Sequence, residues 1–356
     1  MSRFFSSKYS TLVPYVPGEQ PLDMSRYIKL NTNENPFPPS EKAVEYAKAH
    51  TRPENLYSDP DSVELNRTIA EVFAVEPDMV VTSNGSDDLL NFAFMAYTDR
   101  DNPALFADIT YGFYPVLASL NNTPCEIIPL REDFSLRVDD YIGRKGTVFI
   151  ANPNAPTGTA LPASEIERLV ASDPDRVVIV DEAYVDFGAE SCIPLTKKYA
   201  NVMVVQTFSK SRNFAGGRLG YAIANRDLIA DINTLRFSTN PYNVNNMTTA
   251  MGIGILRDGE YTKKVCRTIM ETREYTVSAL KEMGFTVLPS SANFIFISSD
   301  RIEGGRLYSR LKDKGVLVRH FTKDRISNWC RVTIGSRENM DRFLEITRGI
   351  LKESDV

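Results

Sequence analysis

Short runs of branched and aromatic apolar residues punctuate the first two-thirds of the chain, at 79–83, 104–108, 125–130, 147–151, 177–181, 202–206 and 219–224. Runs such as VVIVD and VMVVQ contain almost no polar residue, the pattern of strands covered on both faces. Between most of them apolar positions recur at helical spacing, as over 86–97 and 162–171. Buried strands alternating with helices predict an α/β fold around a mostly parallel, seven-stranded sheet, a large domain spanning 27–240.

After Pro241 the pattern changes. A long helical stretch over 244–283 precedes strands at 285–288 and 293–298, a helix at 303–314, strands at 316–319 and 330–334, and a last helix that Ser336 would cap. This predicts a smaller α+β domain, 241–356. Residues 1–26 read as an arm, because Pro14, Pro17 and Pro21 oppose regular structure.

Composition narrows the chemistry. A net charge of −5 argues against a general nucleic-acid or membrane-surface binder, since both favour excess Lys and Arg. Cys125, Cys192, Cys266 and Cys330 are widely spaced, which reads as reduced thiols in a cytoplasmic protein rather than a disulfide framework or zinc site. The N-terminus has no signal-peptide pattern, and no apolar run approaches the ~18 residues of a membrane span. With only His50 and His320, and no GxSxG, the chain lacks the parts of a serine hydrolase. No clustered ligands suggest a metal. There is no GxxxxGK[ST] loop, and Gly252-Ile-Gly254 lacks the third glycine of a dinucleotide fingerprint.

Four segments end strands with reactive residues, where a parallel sheet presents its crevice. Ser83-Asn84-Gly85-Ser86-Asp87 opens a helix whose N-terminus suits a phosphate, or is an ordinary strand–helix turn. Asp181-Glu182-Ala183-Tyr184 puts carboxylates at the end of a buried strand, where they need a cation or hydrogen bonds. Thr207-Phe208-Ser209-Lys210-Ser211 offers a lysine that a desolvated pocket would make nucleophilic, with Arg218 eight residues on. Asn152–Gly158 is a tight Pro/Gly turn.

Together, in this order, these segments resemble the fold-type I class I/II aminotransferases that use pyridoxal 5′-phosphate (PLP), and are nearest to the histidinol-phosphate aminotransferase branch. The resemblance runs almost the full length. It includes Asn31-Thr-Asn-Glu-Asn-Pro36, Tyr57-Ser-Asp-Pro60, Asn84-Gly-Ser-Asp87, Tyr111-Gly112, Asn154-Ala-Pro-Thr-Gly158, Asp181-Glu-Ala-Tyr184, Ser209-Lys210, Arg218, Asn240-Pro-Tyr-Asn-Val244 and Arg331-Val-Thr-Ile-Gly335. It implies that Lys210 joins the PLP aldehyde and shuttles the substrate proton, Asp181 pairs with the pyridine nitrogen, Tyr184 meets the ring oxygen and Tyr111 stacks on the ring. Gly85, Ser86, Asp87, Ser209 and Arg218 would hold the phosphate, with Tyr57 reaching it from the second subunit of a homodimer.

Arg331 would clamp a substrate carboxylate. Arg319 aligns with an arginine that binds the substrate phosphate in that branch, or is a rim arginine paired with a carboxylate such as Glu34. Many relatives carry an asparagine on the ring oxygen at the position of Ala155; Asn154, one residue earlier, is the candidate substitute. The expected reaction moves an amino group between histidinol phosphate, or a similar anionic amine, and 2-oxoglutarate, as in histidine biosynthesis. Alternatives are an aminotransferase for another, for instance aromatic, amino acid, a threonine-phosphate decarboxylase on the same scaffold, or a non-catalytic binding module.

Overall fold

The structure, a computed structural model, describes residues 2–354. The chain forms β1 (Ile28–Lys29), α1 (Glu41–His50), α2 (Val63–Phe73), β2 (Val80–Ser83), α3 (Ser86–Tyr97), β3 (Ala104–Ala107), α4 (Tyr114–Leu120), β4 (Cys125–Ile128), β5 (Thr147–Ala151), α5 (Ala163–Ala171), β6 (Val178–Asp181), β7 (Val202–Thr207), β8 (Gly220–Ala224) and α6 (Arg226–Thr239). It continues through α7 (Asn246–Arg257), α8 (Gly259–Glu282), β9 (Thr286–Val287), β10 (Phe294–Ser298), α9 (Gly304–Asp313), β11 (Val316–Leu317), β12 (Arg319–His320), β13 (Cys330–Thr333) and α10 (Arg337–Ser354).

Strands β2 to β8 make one seven-stranded sheet in the order β2-β8-β7-β6-β5-β3-β4. Only β8 runs against its neighbours. Every residue of β5, β6 and β7 is buried, because helices cover both faces. On one face Val148, Val180 and Val204 pack with Leu65, Ile69, Ile166 and Ile253. On the other Phe149, Ile179 and Val205 pack with Leu89, Phe94, Leu117 and Ile229. The period-two alternation therefore sends Asp181 to the second face and Glu182 to the first. The C-terminal ends of β2, β3, β5, β6 and β7 open along one edge of the sheet, where the functional side chains collect.

The long helical stretch expected over 244–283 is two helices. Asp258, at φ −108° and ψ 49°, separates α7 from α8, and the Asp-Gly pair is a poor helix interior but a good start. Helix α7 lies beyond the boundary expected at 240, yet its Ile253, Ile255 and Leu256 share the apolar cluster of the large sheet. Gly254 permits this: a Cβ there would lie 2.7 Å from the Ala43 carbonyl of α1. That glycine is a helix-packing residue, not part of a nucleotide fingerprint.

A four-stranded sheet, β12-β13-β10-β9, forms the second unit with α8, α9 and α10. The stretch 316–319 divides: β11 pairs in parallel with β1, while β12 pairs with β13. Ser336 caps the last helix as its sequence suggests, its Oγ accepting from Asn339 N–H at 3.2 Å. Leu30, Ala155, Tyr184 and Phe187 belong to this unit's apolar cluster, so the site lies where the two units meet. Among the described residues no helix is long and apolar enough to cross a membrane.

Candidate active site

An inner pocket of about 330 Å³ opens into a cleft of about 1210 Å³. Thr32, Tyr111, Ala155, Tyr184, Lys210 and Arg218 line both.

At the inner end, β2 turns through Gly85 into α3. Gly85 has φ +90°, and a Cβ there would meet Arg218 Nη2 at 2.8 Å, so only glycine lets the guanidinium close on the helix start. Gly220 of β8 is needed for the same turn, since its Cβ would strike Ser86 N at 2.4 Å. Arg218 makes long contacts to Ser209 Oγ (3.4 Å), the Ala215 carbonyl (3.3 Å) and Asp87 Oδ2 (3.5 Å). Asp87 Oδ1 accepts from Tyr111 Oη at 2.8 Å. The Asp87 side chain is thus an anchor for Arg218 and Tyr111; as an acceptor it would repel a phosphate, to which position 87 can offer only its backbone N–H at the helix end.

Behind the pocket, Asp181 is 5% exposed. Its Oδ2 accepts from Tyr114 Oη at 3.0 Å and its Oδ1 from Ala183 N–H at 3.2 Å. Burial pushes its carboxyl up to about 6, against the pull of those two donors and of Lys210. Tyr114 is a fixed donor: burial and the neighbouring Asp181 hold its phenol well above the ordinary value. Lys210 Nζ donates to the Thr32 carbonyl at 3.3 Å and lies 5.7 Å from the centroid of the Tyr184 ring. Tyr184 Oη accepts from Asn33 Nδ2 at 2.9 Å.

The outer cleft holds two arginines on adjacent strands, with Arg319 and Arg331 as directly paired positions. Arg331 Nη2 donates to the Asn31 carbonyl at 2.9 Å, while its buried Nε has no partner. Burial, and the Arg319 charge beside it, hold the Arg331 guanidinium below its ordinary value. Arg319 reaches the carbonyls of Val16 and Pro17 at 3.3 and 3.4 Å, so the arm crosses the mouth of the cleft. Glu34 does not pair with Arg319. It sits on the pocket wall bound to Lys29 Nζ at 2.6 Å and Thr32 Oγ1 at 2.8 Å; although burial works to raise its carboxyl, these bonds bring it below the usual value.

Of the candidates named from the sequence, the structure brings together Gly85, Ser86, Asp87, Tyr111, Asp181, Tyr184, Ser209, Lys210, Arg218 and Arg331. Asn154 is a correction. Its Nδ2 donates to the Ile109 carbonyl and Thr157 Oγ1, both at 3.0 Å, and its Oδ1 accepts from Thr110 Oγ1 at 2.8 Å. The amide braces the turn, and Ala155 rather than Asn154 lines the pocket. Tyr57 is 80% exposed and stacks on Tyr242 at 4.5 Å, outside this chain's own pocket. Sequence reading missed Thr32, Asn33 and Tyr114. The first two lie inside the quoted Asn31–Pro36 motif, and Tyr114 follows Tyr111 by three residues, across the turn that opens α4.

The family model for aminotransferase class I and II matches residues 25–346. The chain belongs to the class I and II aminotransferase family. It is 46% identical to a histidinol-phosphate aminotransferase of Brachyspira hyodysenteriae, covering 99% of this chain and 100% of that protein. It is 44% identical to one from Clostridium acetobutylicum, covering 97% and 98%. Among solved structures, histidinol-phosphate aminotransferase from Sinorhizobium meliloti in complex with pyridoxal-5′-phosphate superposes with a TM-score of 0.88 at 20% identity, over 98% of this chain and 99% of that one.

Aminotransferases of this family work with PLP, and the pocket of this aminotransferase fits that group on its own chemistry. A helix N-terminus and an arginine with long, weak contacts stand at one end. A buried carboxylate with one protein donor on each oxygen stands at the far wall. Lys210 lines the same pocket, its Nζ over the ring of Tyr184. The separation of phosphate-type and pyridine-type partners is what a phosphorylated pyridine requires.

Proposed function

We propose that this aminotransferase moves an amino group between histidinol phosphate and 2-oxoglutarate in a ping-pong cycle. The observation that carries the reading is the paired Arg319 and Arg331 at the cleft mouth, one with a buried, unpartnered Nε. Two adjacent guanidiniums match a phosphate dianion on one substrate and the carboxylates of the other. The names of the relatives that align over the full length support the same choice of substrate.

In this reading the N–H groups of 85–87, Ser209 Oγ and Arg218 hold the PLP phosphate, and Tyr111 covers the ring. When bound, PLP supplies an electron sink for the bonds at the substrate carbon it carries. Asp181, anionic beside a cationic ring nitrogen, keeps that nitrogen protonated. Lys210 would carry the group, and its amine is the base placed to move the substrate proton. Tyr184 donates to the ring oxygen. Arg331 orients the substrate anion and Arg319 takes the distal charge, releasing the Val16 and Pro17 carbonyls to do so; Glu34, held by Lys29, forms part of the inner pocket wall. The exposed Tyr57, stacked on Tyr242, reaches the phosphate of a second copy in a homodimer. The chain works as an arm (1–26), a cofactor-binding domain (27–240) onto which α7 packs, and a small domain in the rest of 241–356, in the cytoplasm, where its four free thiols stay reduced.

The test is the visible absorbance of the PLP-loaded protein. Histidinol phosphate should bleach the band and 2-oxoglutarate restore it, and Lys210→Ala should never form it. A band indifferent to histidinol phosphate but bleached by another amino acid removes the substrate; release of CO₂ instead of an oxo product removes the transamination.

A further inference from the structure

We infer that Asn33 is a positioning residue that sets the direction of the Tyr184 hydroxyl, so that its proton points into the pocket; the inference rests on the reading that Tyr184 faces the PLP ring oxygen. Three consecutive residues each bond one polar side chain of the site. The Asn31 carbonyl accepts from Arg331, the Thr32 carbonyl from Lys210, and Asn33 Nδ2 donates to Tyr184. The first two contacts are to backbone and leave no trace in side-chain chemistry. The third depends on an amide, and on which way that amide faces.

The facing is determined. Asn33 is 1% exposed and has φ +56°, in the left-handed region that asparagine tolerates better than most residues. Its N–H donates to Thr333 Oγ1 at 2.9 Å, and the Thr333 hydroxyl returns its own proton to Asn33 Oδ1 at 3.0 Å. Asn293 Nδ2 holds the Asn33 carbonyl at 2.9 Å. With Oδ1 taken by Thr333, the amide turns Nδ2 toward Tyr184. A phenol oxygen that accepts from an amide N–H has its own proton free for another acceptor. Among the described residues the Tyr184 hydroxyl donates to none, and the 152–158 turn presents only Pro153 and Ala155 to the inner pocket, neither with a side-chain acceptor. The proton is thus held ready for an acceptor inside the pocket.

Replacing Asn33 by Asp keeps the shape and reverses the bond, because a carboxylate only accepts and would draw the Tyr184 proton to itself. The readout is the pH midpoint at which the visible band of the PLP-loaded protein titrates. A hydroxyl donating to the ring oxygen stabilises negative charge there and lowers that midpoint, so Tyr184→Phe should raise it by about one unit, a tenfold change in proton affinity. Asn33→Asp should raise it comparably, and should add nothing in the Tyr184→Phe background. Asn33→Gly, which accepts the left-handed backbone and removes the amide, should shift the midpoint the same way by less, and serves if Asp at 33 does not load. A shift from Asn33→Asp that persists in the Tyr184→Phe background is a plain charge effect and overturns the inference. So does an unmoved midpoint in both Asn33 variants while Tyr184→Phe moves it. If Tyr184→Phe itself moves nothing, the placement of Tyr184 on the ring fails, and the inference goes with it.

Discussion

Two adjacent carboxylates at the end of β6 face opposite sides of the sheet, and their surroundings differ in kind. Glu182, 1% exposed, meets three donors: Cys192 N–H on Oε1, and Ser191 Oγ and Gln206 Nε2 on Oε2, each of the last two at 2.7 Å. Behind it Arg212 binds Asp186 at 3.0 Å, Ser211 also donates to Asp186, and aromatic rings of Phe208 and Tyr221 lie 5.5 Å from the Arg212 guanidinium. On the pocket side Asp181 has one donor per oxygen, and Arg331 has an unpartnered Nε. Around Glu182 three donors share the carboxylate, whereas beside the pocket Asp181 keeps spare acceptor capacity and Arg331 an unpartnered Nε. Buried polar groups in a finished structure are normally satisfied, so spare capacity on groups that border a cavity marks the side that receives a ligand, and the filled set around Glu182 marks scaffold.

Exchanging each carboxylate for its amide puts that contrast to its hardest test. Asp181→Asn should lower turnover at least roughly 100-fold, about 2.7 kcal/mol of barrier, with the protein folded and PLP still held at its phosphate end. Glu182→Gln should leave turnover within roughly threefold but destabilise the fold by about 1–3 kcal/mol, since a Gln amide puts a donor where a donor already stands. Steady-state kinetics and thermal melts of both variants decide it. Equal losses of turnover would erase the distinction between the faces.

The arginines give a smaller version of the same test. Arg331→Lys should cost roughly tenfold in kcat/KM for 2-oxoglutarate, about 1.4 kcal/mol, because an ammonium cannot form the bidentate pair. Arg212→Lys should lower the melting temperature and leave kcat/KM nearly unchanged. A kcat/KM loss in Arg212→Lys as large as that in Arg331→Lys would mean that the rear network tunes the site directly.

How much of this could be read from the sequence follows the distance between the parts. Six of the seven strands were legible because burial on both faces writes each as an apolar run; β4, mostly exposed at the sheet edge, was legible from its branched residues. Asp181, Ser209 and Lys210 were legible because they end such runs, and the Gly85–Asp87 turn because a helix start is local. The Asn33–Tyr184 bond spans 151 positions, and no local pattern reports it. The pairing of Arg319 with Arg331 is a strand register set by tertiary packing, which also divides 316–319 between two sheets. Asn154 misled because adjacency in a tight turn does not mean a shared direction: residue 155 faces the pocket and residue 154 faces the turn.

The last expected effect is in stability, and it separates the two carboxylates without any turnover. Burial raises Asp181 to about 6 and Glu182 to about 7, against about 3.9 and 4.3 in an unfolded chain. Between those limits the folded protein holds protons that the unfolded chain has lost, so cofactor-free stability should fall as pH rises from about 4 to 7. Across its window Asp181 contributes at most roughly 3 kcal/mol and Glu182 at most roughly 4. A cationic ring nitrogen beside Asp181 favours its charged form and removes that group's part of the slope, while Glu182, on the far face, keeps its own. Melting temperatures against pH, with and without PLP, should therefore show loading flatten the profile of Glu182→Gln, in which Asp181 remains, and leave that of Asp181→Asn sloping. If PLP flattens both alike, Asp181 is not the partner of the ring nitrogen. The two faces would then differ in packing alone, because a charge waiting for its counterpart must lose its pH dependence when the counterpart arrives.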